Sequence, residues 1–307
     1  MKNQNEHYDT AVFVEWNQGP REYQEDYYGV VGEPGRVIMA IADGMGGHSS
    51  GDVVSRWTVE DLVSSFKEKK GKAEDIFFAS VNRTIQGIME SGKDMGGTVV
   101  AAIVEKEDNK YKLSYTWVGD SRLYALTGRE KPSDNAKMIA EIENKALWLL
   151  TDDDTFIWGF FLNNELTLDQ VTQHPNKNQL ECTIHARQSN AGDIAKKRTR
   201  TFYLNEGDKL FMCTDGIWEI FEKQADILPH LNNNNPHDRI SAHLKEMLSR
   251  GKFNDNGTFI AAEIGDRLFN QNEMPGTPAK KRLSPLVIGI LAIVLFVIIF
   301  LVLIVKP

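Results

Sequence analysis

The stretch that most constrains this 307-residue chain runs from Ile38 to Gly51: Ile-Met-Ala-Ile-Ala-Asp-Gly-Met-Gly-Gly-His-Ser-Ser-Gly. Val37 to Ala42 is an unbroken apolar run with no polar alternation. A run of that kind reads as a strand buried on both faces, so layers must lie above and below it. Asp43 stands where the run ends, and Gly44, Gly46 and Gly47 follow. Glycines so closely spaced let the backbone approach a ligand. Beyond Gly51, Val53, Val54, Trp57, Leu62, Val63 and Phe66 recur at helical spacing, with Ser49 or Ser50 placed to cap the helix. A carboxylate between a buried strand and a glycine-rich turn into a helix suits a cation or a phosphate. Taken alone, an ordinary turn is the commoner use of such a segment.

The pattern recurs. Asp120 follows the strand Tyr111 to Val118 within Gly119-Asp120-Ser121-Arg122. Asp215 follows the strand Asp208 to Cys213 within Thr214-Asp215-Gly216, and Asp255 precedes the strand Phe259 to Ile264. Two such charges 4 Å apart repel by about 4 kcal/mol at an effective dielectric of 20. Four converging carboxylates therefore need a divalent cation or raised proton affinities. All-oxygen ligands without a His or Cys cluster select Mg²⁺ or Mn²⁺ over Zn²⁺. A pair of such ions activates a water and clamps a phosphate. That chemistry is phosphomonoester hydrolysis without a covalent enzyme intermediate.

Elsewhere the pattern gives strands at 10–16, 27–31, 96–104, 146–150 and 201–204, the last joined to Asp208–Cys213 by Asn205-Glu206-Gly207. Helices are expected over 73–91, ending at Gly92, and from Asn235-Pro236 to Gly251. Leu168 to His174 suits a short helix. Residues 128–145 are polar and read as a helix-prone surface insertion, and 156–190 lack core periodicity, as a functional flap would. A net charge of −8 and the lack of a long basic patch argue against nucleic acid. Two isolated cysteines, Cys182 and Cys213, exclude a disulfide framework and suggest a reducing compartment. No apolar leader is present at the N-terminus. Leu286 to Val305 holds twenty residues without a charged or polar side chain. As a helix these span about 30 Å, the thickness of a bilayer core. Lys280-Lys281-Arg282 precedes them, which places the preceding domain in the cytoplasm. The expected organisation is a domain over 8–265, a flexible linker over 266–285 and a single transmembrane helix over 286–305. A chain cut near Arg267 is expected to stay soluble and to turn over small phosphoesters.

Seven short motifs occur in a fixed order: Arg-x-x-x-Glu-Asp at 21–26, Asp-Gly-Met-Gly-Gly-His at 43–48, Gly-Gly-Thr at 96–98, Gly-Asp-Ser-Arg-x-Tyr at 119–124, Asp-Asp-Thr-Phe at 153–156, Thr-Asp-Gly at 214–216 and Asp-Asn-x-Thr at 255–258. In this order they resemble the bacterial branch of the PP2C (PPM) metal-dependent Ser/Thr protein phosphatases. The resemblance implies an α+β fold, a four-layer αββα sandwich of two antiparallel sheets flanked by helices. It implies that Asp43 bridges two Mg²⁺ or Mn²⁺ ions, with the Gly44 carbonyl as a further ligand. Asp215 and Asp255 would bind the second ion, and Asp120 a third, weaker site shared with Asp215. Arg21 would bind the phosphate, and Glu25 and Asp26 would hold metal-bound water. Residues 153–190 would form the flap. Met45 stands where animal members carry a histidine thought to act as general acid, and a turn role suits the nearby His48 better than catalysis. The implied partners are phosphorylated Ser/Thr proteins, a cognate Ser/Thr kinase and, through the tail, a membrane. A non-catalytic phosphoprotein-binding module is the contrasting reading; it would be favoured by loss of a metal aspartate, and none is lost. A regulatory partner-switching protein as substrate is not separated from other phosphoproteins by the sequence.

Overall fold

A computed structural model describes residues 11–46, 50–69, 71–269 and 275–278. Its first third holds β1 (Val12–Asn17), β2 (Asp26–Glu33), β3 (Arg36–Met45), α1 (Gly51–Glu68), α2 (Ala73–Ser91), β4 (Gly96–Gly97) and β5 (Val99–Glu107). There follow β6 (Lys110–Val118), β7 (Arg122–Gly128), β8 (Lys137–Ile142), β9 (Lys145–Leu149), α3 (Trp158–Leu162), α4 (Leu168–Thr172) and β10 (Ile184–His185). The remainder is α5 (Ala191–Arg198), β11 (Arg200–Leu204), β12 (Lys209–Cys213), α6 (Asp215–Trp218), α7 (Ile227–Leu231), α8 (Pro236–Ser249) and β13 (Gly257–Glu263).

Every strand pair is antiparallel, and the strands form two sheets. One has the order β1-β13-β12-β7-β9-β8; the other runs β10-β4-β3-β5-β6-β11, with β2 also paired to β3. Val37, Met39 and Ile41 of β3 point into a core shared with Leu123, Leu210 and Ile260 of the opposite sheet. Ile38, Ala40 and Ala42 point the other way, onto Val54, Leu62, Phe77 and Val81 of α1 and α2. This is why the strand lacks alternation: both faces are covered. The outer face of the six-stranded sheet, including Tyr124, Leu147, Phe211 and Phe259, is covered by α3, α4 and α6 to α8. The four-layer sandwich expected from the sequence is the architecture found.

The expected helices are present, and Gly92 closes α2 in the left-handed conformation that the terminus needs, at φ 64°. Ser50 precedes α1 without donating or accepting a side-chain cap. Two expectations need correction, and one connection was left open. Residues 137–142 of the polar 128–145 segment form strand β8, paired to β9 at the sheet edge; an exposed edge strand tolerates polar and charged residues that otherwise read as helix. The two strands expected over 201–213 are both present but lie in different sheets: β11 joins β6 while β12 lies between β7 and β13, so Asn205-Glu206-Gly207 carries the chain between layers. The stretch expected to be a flexible linker from 266 begins with packed structure. Leu268 is fully buried, Phe269 stacks on Tyr111, and Gly276 exchanges two backbone hydrogen bonds with Val30. Among the described residues no helix is long and apolar enough to cross a membrane. The 286–305 segment, residues 270–274 and 279–285 of the expected linker, and His48 lie outside the described residues.

Candidate active site

Both sheets contribute carboxylates to one end of the sandwich. Antiparallel pairing sets Asp26, at the start of β2, directly across from Asp43 on β3. Asp120 sits in the turn after β6, Asp215 opens α6 at the end of β12, and Asp255 lies in the loop ahead of β13. Asp26 and Asp120 are buried.

Their electrostatics show the convergence. Burial raises the proton affinity of Asp43 well above the carboxylate range, and the charges of Asp215, Asp26, Asp120 and Asp255 add to it, in that order. Asp215 is raised likewise, by burial and then by Asp120, Glu219, Asp255 and Asp26. Burial pushes Asp120 up to about 7, with Asp153 adding to the shift and Arg122 opposing it. Asp26 also reaches about 7 through burial, although the nearby hydroxyls of Thr258 and Thr214 pull it down. For Asp43 and Asp215 the leading influences are burial and other carboxylates, with no cation among them. As bare anions they are unstable neighbours, and an all-oxygen set of this kind fits Mg²⁺ or Mn²⁺. Among the described residues no three His, Cys, Asp or Glu side chains are gathered closely enough to form a metal-binding group.

The backbone explains the glycines. A Cβ at Gly44 would lie 1.9 Å from the Gly51 carbonyl oxygen, and one at Gly51 would lie 2.6 Å from both the Gly44 oxygen and Glu25 Oε1. Strand end and helix start are therefore in backbone contact, with Glu25 against them. The Gly44 N–H donates to the Glu25 carbonyl at 3.1 Å. Arg21 Nη2 donates to Asp255 Oδ2 at 2.5 Å and its Nε to the Asn254 carbonyl at 3.2 Å, while half its side chain remains exposed.

Several supporting residues were not singled out in the sequence. Thr98 Oγ1 accepts from the Asp43 N–H at 3.2 Å and shares a 2.8 Å hydrogen bond with Ser121. Thr214 Oγ1 donates to Asp26 Oδ2 at 2.9 Å. Asn256 accepts from the Glu25 N–H at 2.8 Å and donates to the Gln18 and Tyr23 carbonyls, which pins the Arg21–Glu25 loop to the Asp255 loop. Glu219, one turn beyond Asp215, acts on Asp120 and Asp215; Lys177 pairs with its Oε2 at 2.8 Å. The signal was at hand for Thr98, Ser121, Thr214 and Asn256, which lie inside the motifs quoted above, and not for Glu219 and Lys177, which lie outside them.

The sequence matches the family described as Protein phosphatase 2C over residues 21–249, about three quarters of the chain. The chain belongs to the protein phosphatase 2C family. Among its relatives, the serine/threonine phosphatase stp of Listeria welshimeri serovar 6b is 31% identical over 211 residues, covering 64% of this chain and 73% of that protein. The serine/threonine protein phosphatase PstP of Mycobacterium tuberculosis is 26% identical over 255 residues, covering 78% of this chain and 42% of PstP. In fold, this protein phosphatase 2C member is similar to the S. agalactiae serine/threonine phosphatase, with a TM-score of 0.62 at 22% identity over 83% of this chain and 99% of that one. It is also similar to the PstP catalytic domain in complex with two manganese ions, with a TM-score of 0.61 at 22% identity over 83% of this chain and 98% of that one. A pocket of about 360 Å³ lined by Phe13, Lys209, Leu231, Pro236 and Arg267 includes none of the family's carboxylate positions, and the chemistry follows the carboxylates.

Proposed function

We propose that this chain is a metal-dependent protein phosphatase that removes phosphate from phosphoserine and phosphothreonine in proteins, opposing a Ser/Thr kinase from the cytoplasmic side of a membrane. The observation that carries the reading is the buried field shared by Asp43, Asp120, Asp215 and Asp26, drawn from both sheets, with no neutralising cation among the leading influences on Asp43 and Asp215. Asp43, Asp215 and Asp255 and the Gly44 carbonyl would hold two Mg²⁺ or Mn²⁺ ions, and Asp120 with Asp215 a third. When bound, the ions supply an activated water and neutralise charge on the phosphate. Arg21 presents its fork beside Asp255 at the exposed rim, where it would receive two phosphate oxygens. Asp26, fixed by Thr214, and Glu25, fixed through Asn256, would orient water around that centre. The apolar run 286–305, preceded by Lys280-Lys281-Arg282, would anchor the domain.

With Mn²⁺ saturating, the protein is expected to hydrolyse a phosphothreonine peptide, and Asp43→Asn to lower kcat by more than about 100-fold. Equal turnover by the two proteins would overturn the assignment. Fractionation of cells expressing the full chain and one ending at Lys280 tests the anchor: only the full chain should sediment with membranes.

A further inference from the structure

Glu219 is a carboxylate at the acidic centre that the proposed function leaves without a role. Asp215 opens α6 and Glu219 stands at its other end, where the Glu219 N–H donates to the Asp215 carbonyl at 2.9 Å. Residues one helical turn apart share a face, with about 5–6 Å between their Cβ atoms. Trp218 ties the same turn to Asp120, its Nε1 donating to the Asp120 carbonyl at 3.0 Å. Backbone geometry therefore holds Glu219 beside Asp215 and near Asp120. Its charge is felt there. Among the charges that raise the proton affinity of Asp215, Glu219 comes second to Asp120 and ahead of Asp255 and Asp26.

The two oxygens of Glu219 differ. Oε2 pairs at 2.8 Å with the Nζ of Lys177, which comes from the turn after α4, and both side chains are partly exposed. Oε1 is buried, and no donor among the described residues reaches it. A buried acceptor left without a donor bears its whole desolvation penalty, and a charged one bears more. The pair with Lys177 thus explains one oxygen and leaves the other. Asp120 and Asp215 cannot supply the missing donor, because ionised carboxylates only accept. Water on a divalent ion held by those two aspartates is a donor of the required kind. Groups that hold metal-bound water in this way typically set metal affinity by about 10–100-fold.

We propose that Glu219 is a positioning residue of the metal centre: it accepts a hydrogen bond from water on the ion shared by Asp120 and Asp215, while Lys177 holds its other oxygen and moderates its charge. This rests on the metal-dependent reading above and adds an acidic group to the weakest of the proposed ion sites. Because the two partners carry opposite charges, removing one or the other shifts ion affinity in opposite directions. An ion pair that served the fold alone would show no such opposition.

The test is a calorimetric titration of the full protein with Mn²⁺, which reads ion binding and not turnover. Glu219→Gln removes the charge at nearly constant size, and the weakest Mn²⁺ binding step should loosen by about 10–100-fold. Lys177→Met leaves Glu219 charged and uncompensated, and the same step should tighten by about threefold to tenfold. A pair that only supports the fold gives another pattern: both substitutions lower the Tm measured without metal, and Mn²⁺ affinity stays as it was. That pattern overturns the proposal, as does a loss of affinity in both variants. If Glu219→Gln does not fold, Lys177→Met decides alone, since an unchanged or weakened step in that variant also overturns the proposal. A wild-type protein that binds no Mn²⁺ would sink the metal-dependent reading and this inference with it. Wild-type binding with unaltered isotherms in both variants would sink this inference only.

Discussion

Arg122 has no exposed surface, yet it carries a full charge. Its Nε and Nη2 donate to the two oxygens of Asp153 at 2.9 and 2.6 Å, Nη1 donates to Gln224 Oε1 at 3.0 Å, and the guanidinium lies 3.9 Å above the Trp218 ring. Such a pair is neutral overall but costly to halve. Arg122→Met leaves Asp153 buried without its partner, and unfolding free energy should fall by about 3–5 kcal/mol. Arg122→Met combined with Asp153→Leu should recover most of that loss in the same denaturant titration; no recovery would mean the pair is not the source. The aspartate centre makes a different prediction. If ions bind the folded carboxylates as proposed, Mn²⁺ at 100 times its Kd should stabilise the wild-type protein by about 2.7 kcal/mol, a rise of several degrees in Tm. Asp215→Asn should remove most of that rise. At this scale the sequence disclosed the acidic positions, because each is marked by a glycine or a turn. It did not disclose that Arg122 is buried, since burial of a charge depends on Asp153, which is 31 positions away.

The contact between α8 and β1 depends on a buried polar group. Ser241 Oγ donates to Glu15 Oε2 at 3.0 Å, His237 Nε2 lies 3.4 Å from the same oxygen, and the imidazole stacks on Phe13 at 5.6 Å. Burial disfavours the charged imidazole, but Glu15 and Asp238 outweigh it and raise the His237 pKa. Burial opposes ionised Glu15 too, and hydrogen bonds from His237 and Ser241 outweigh it and lower that pKa. The raised histidine stabilises the fold below its unfolded value near 6.5, and this is lost as pH climbs through the folded pKa. The lowered glutamate stabilises above its unfolded value near 4.5, and this is lost as pH falls through the folded pKa. The Tm difference between wild type and His237→Gln should therefore be largest between those two values and shrink above neutral pH. A flat difference from pH 5 to 8.5 would refute the pairing. Elements were legible where apolar spacing was strong, as in α2 and α8. α5 was missed because its buried face is only Ala191, Gly192 and Ala195, residues too small to mark a period. β8 was misread because its burial never becomes complete at any position.

Across the molecule, the ordered body extends beyond the last strand. A chain ending at Arg267 loses the buried Leu268, the Tyr111–Phe269 stack at 5.8 Å and the Val30–Gly276 hydrogen bonds. Together these are worth about 3 kcal/mol, so its Tm should lie roughly 6–12 °C below that of a chain ending at Lys280. Equal melting of the two would show that the terminal segment packs without stabilising. Cover on both faces of β3 was readable from Val37 to Ala42, and the layered architecture from the family resemblance of the motif order. The assignment of strands to sheets was not, since a three-residue turn can close a hairpin or cross between layers. The pairing of β1 with β13, Val12 against Ala262, has a consequence for biosynthesis. β1 waits for a partner strand made roughly 250 residues later, about 12–50 s at 5–20 residues per second. Asp255 arrives just ahead of that partner, so a nascent chain released early would lack one of the proposed metal ligands.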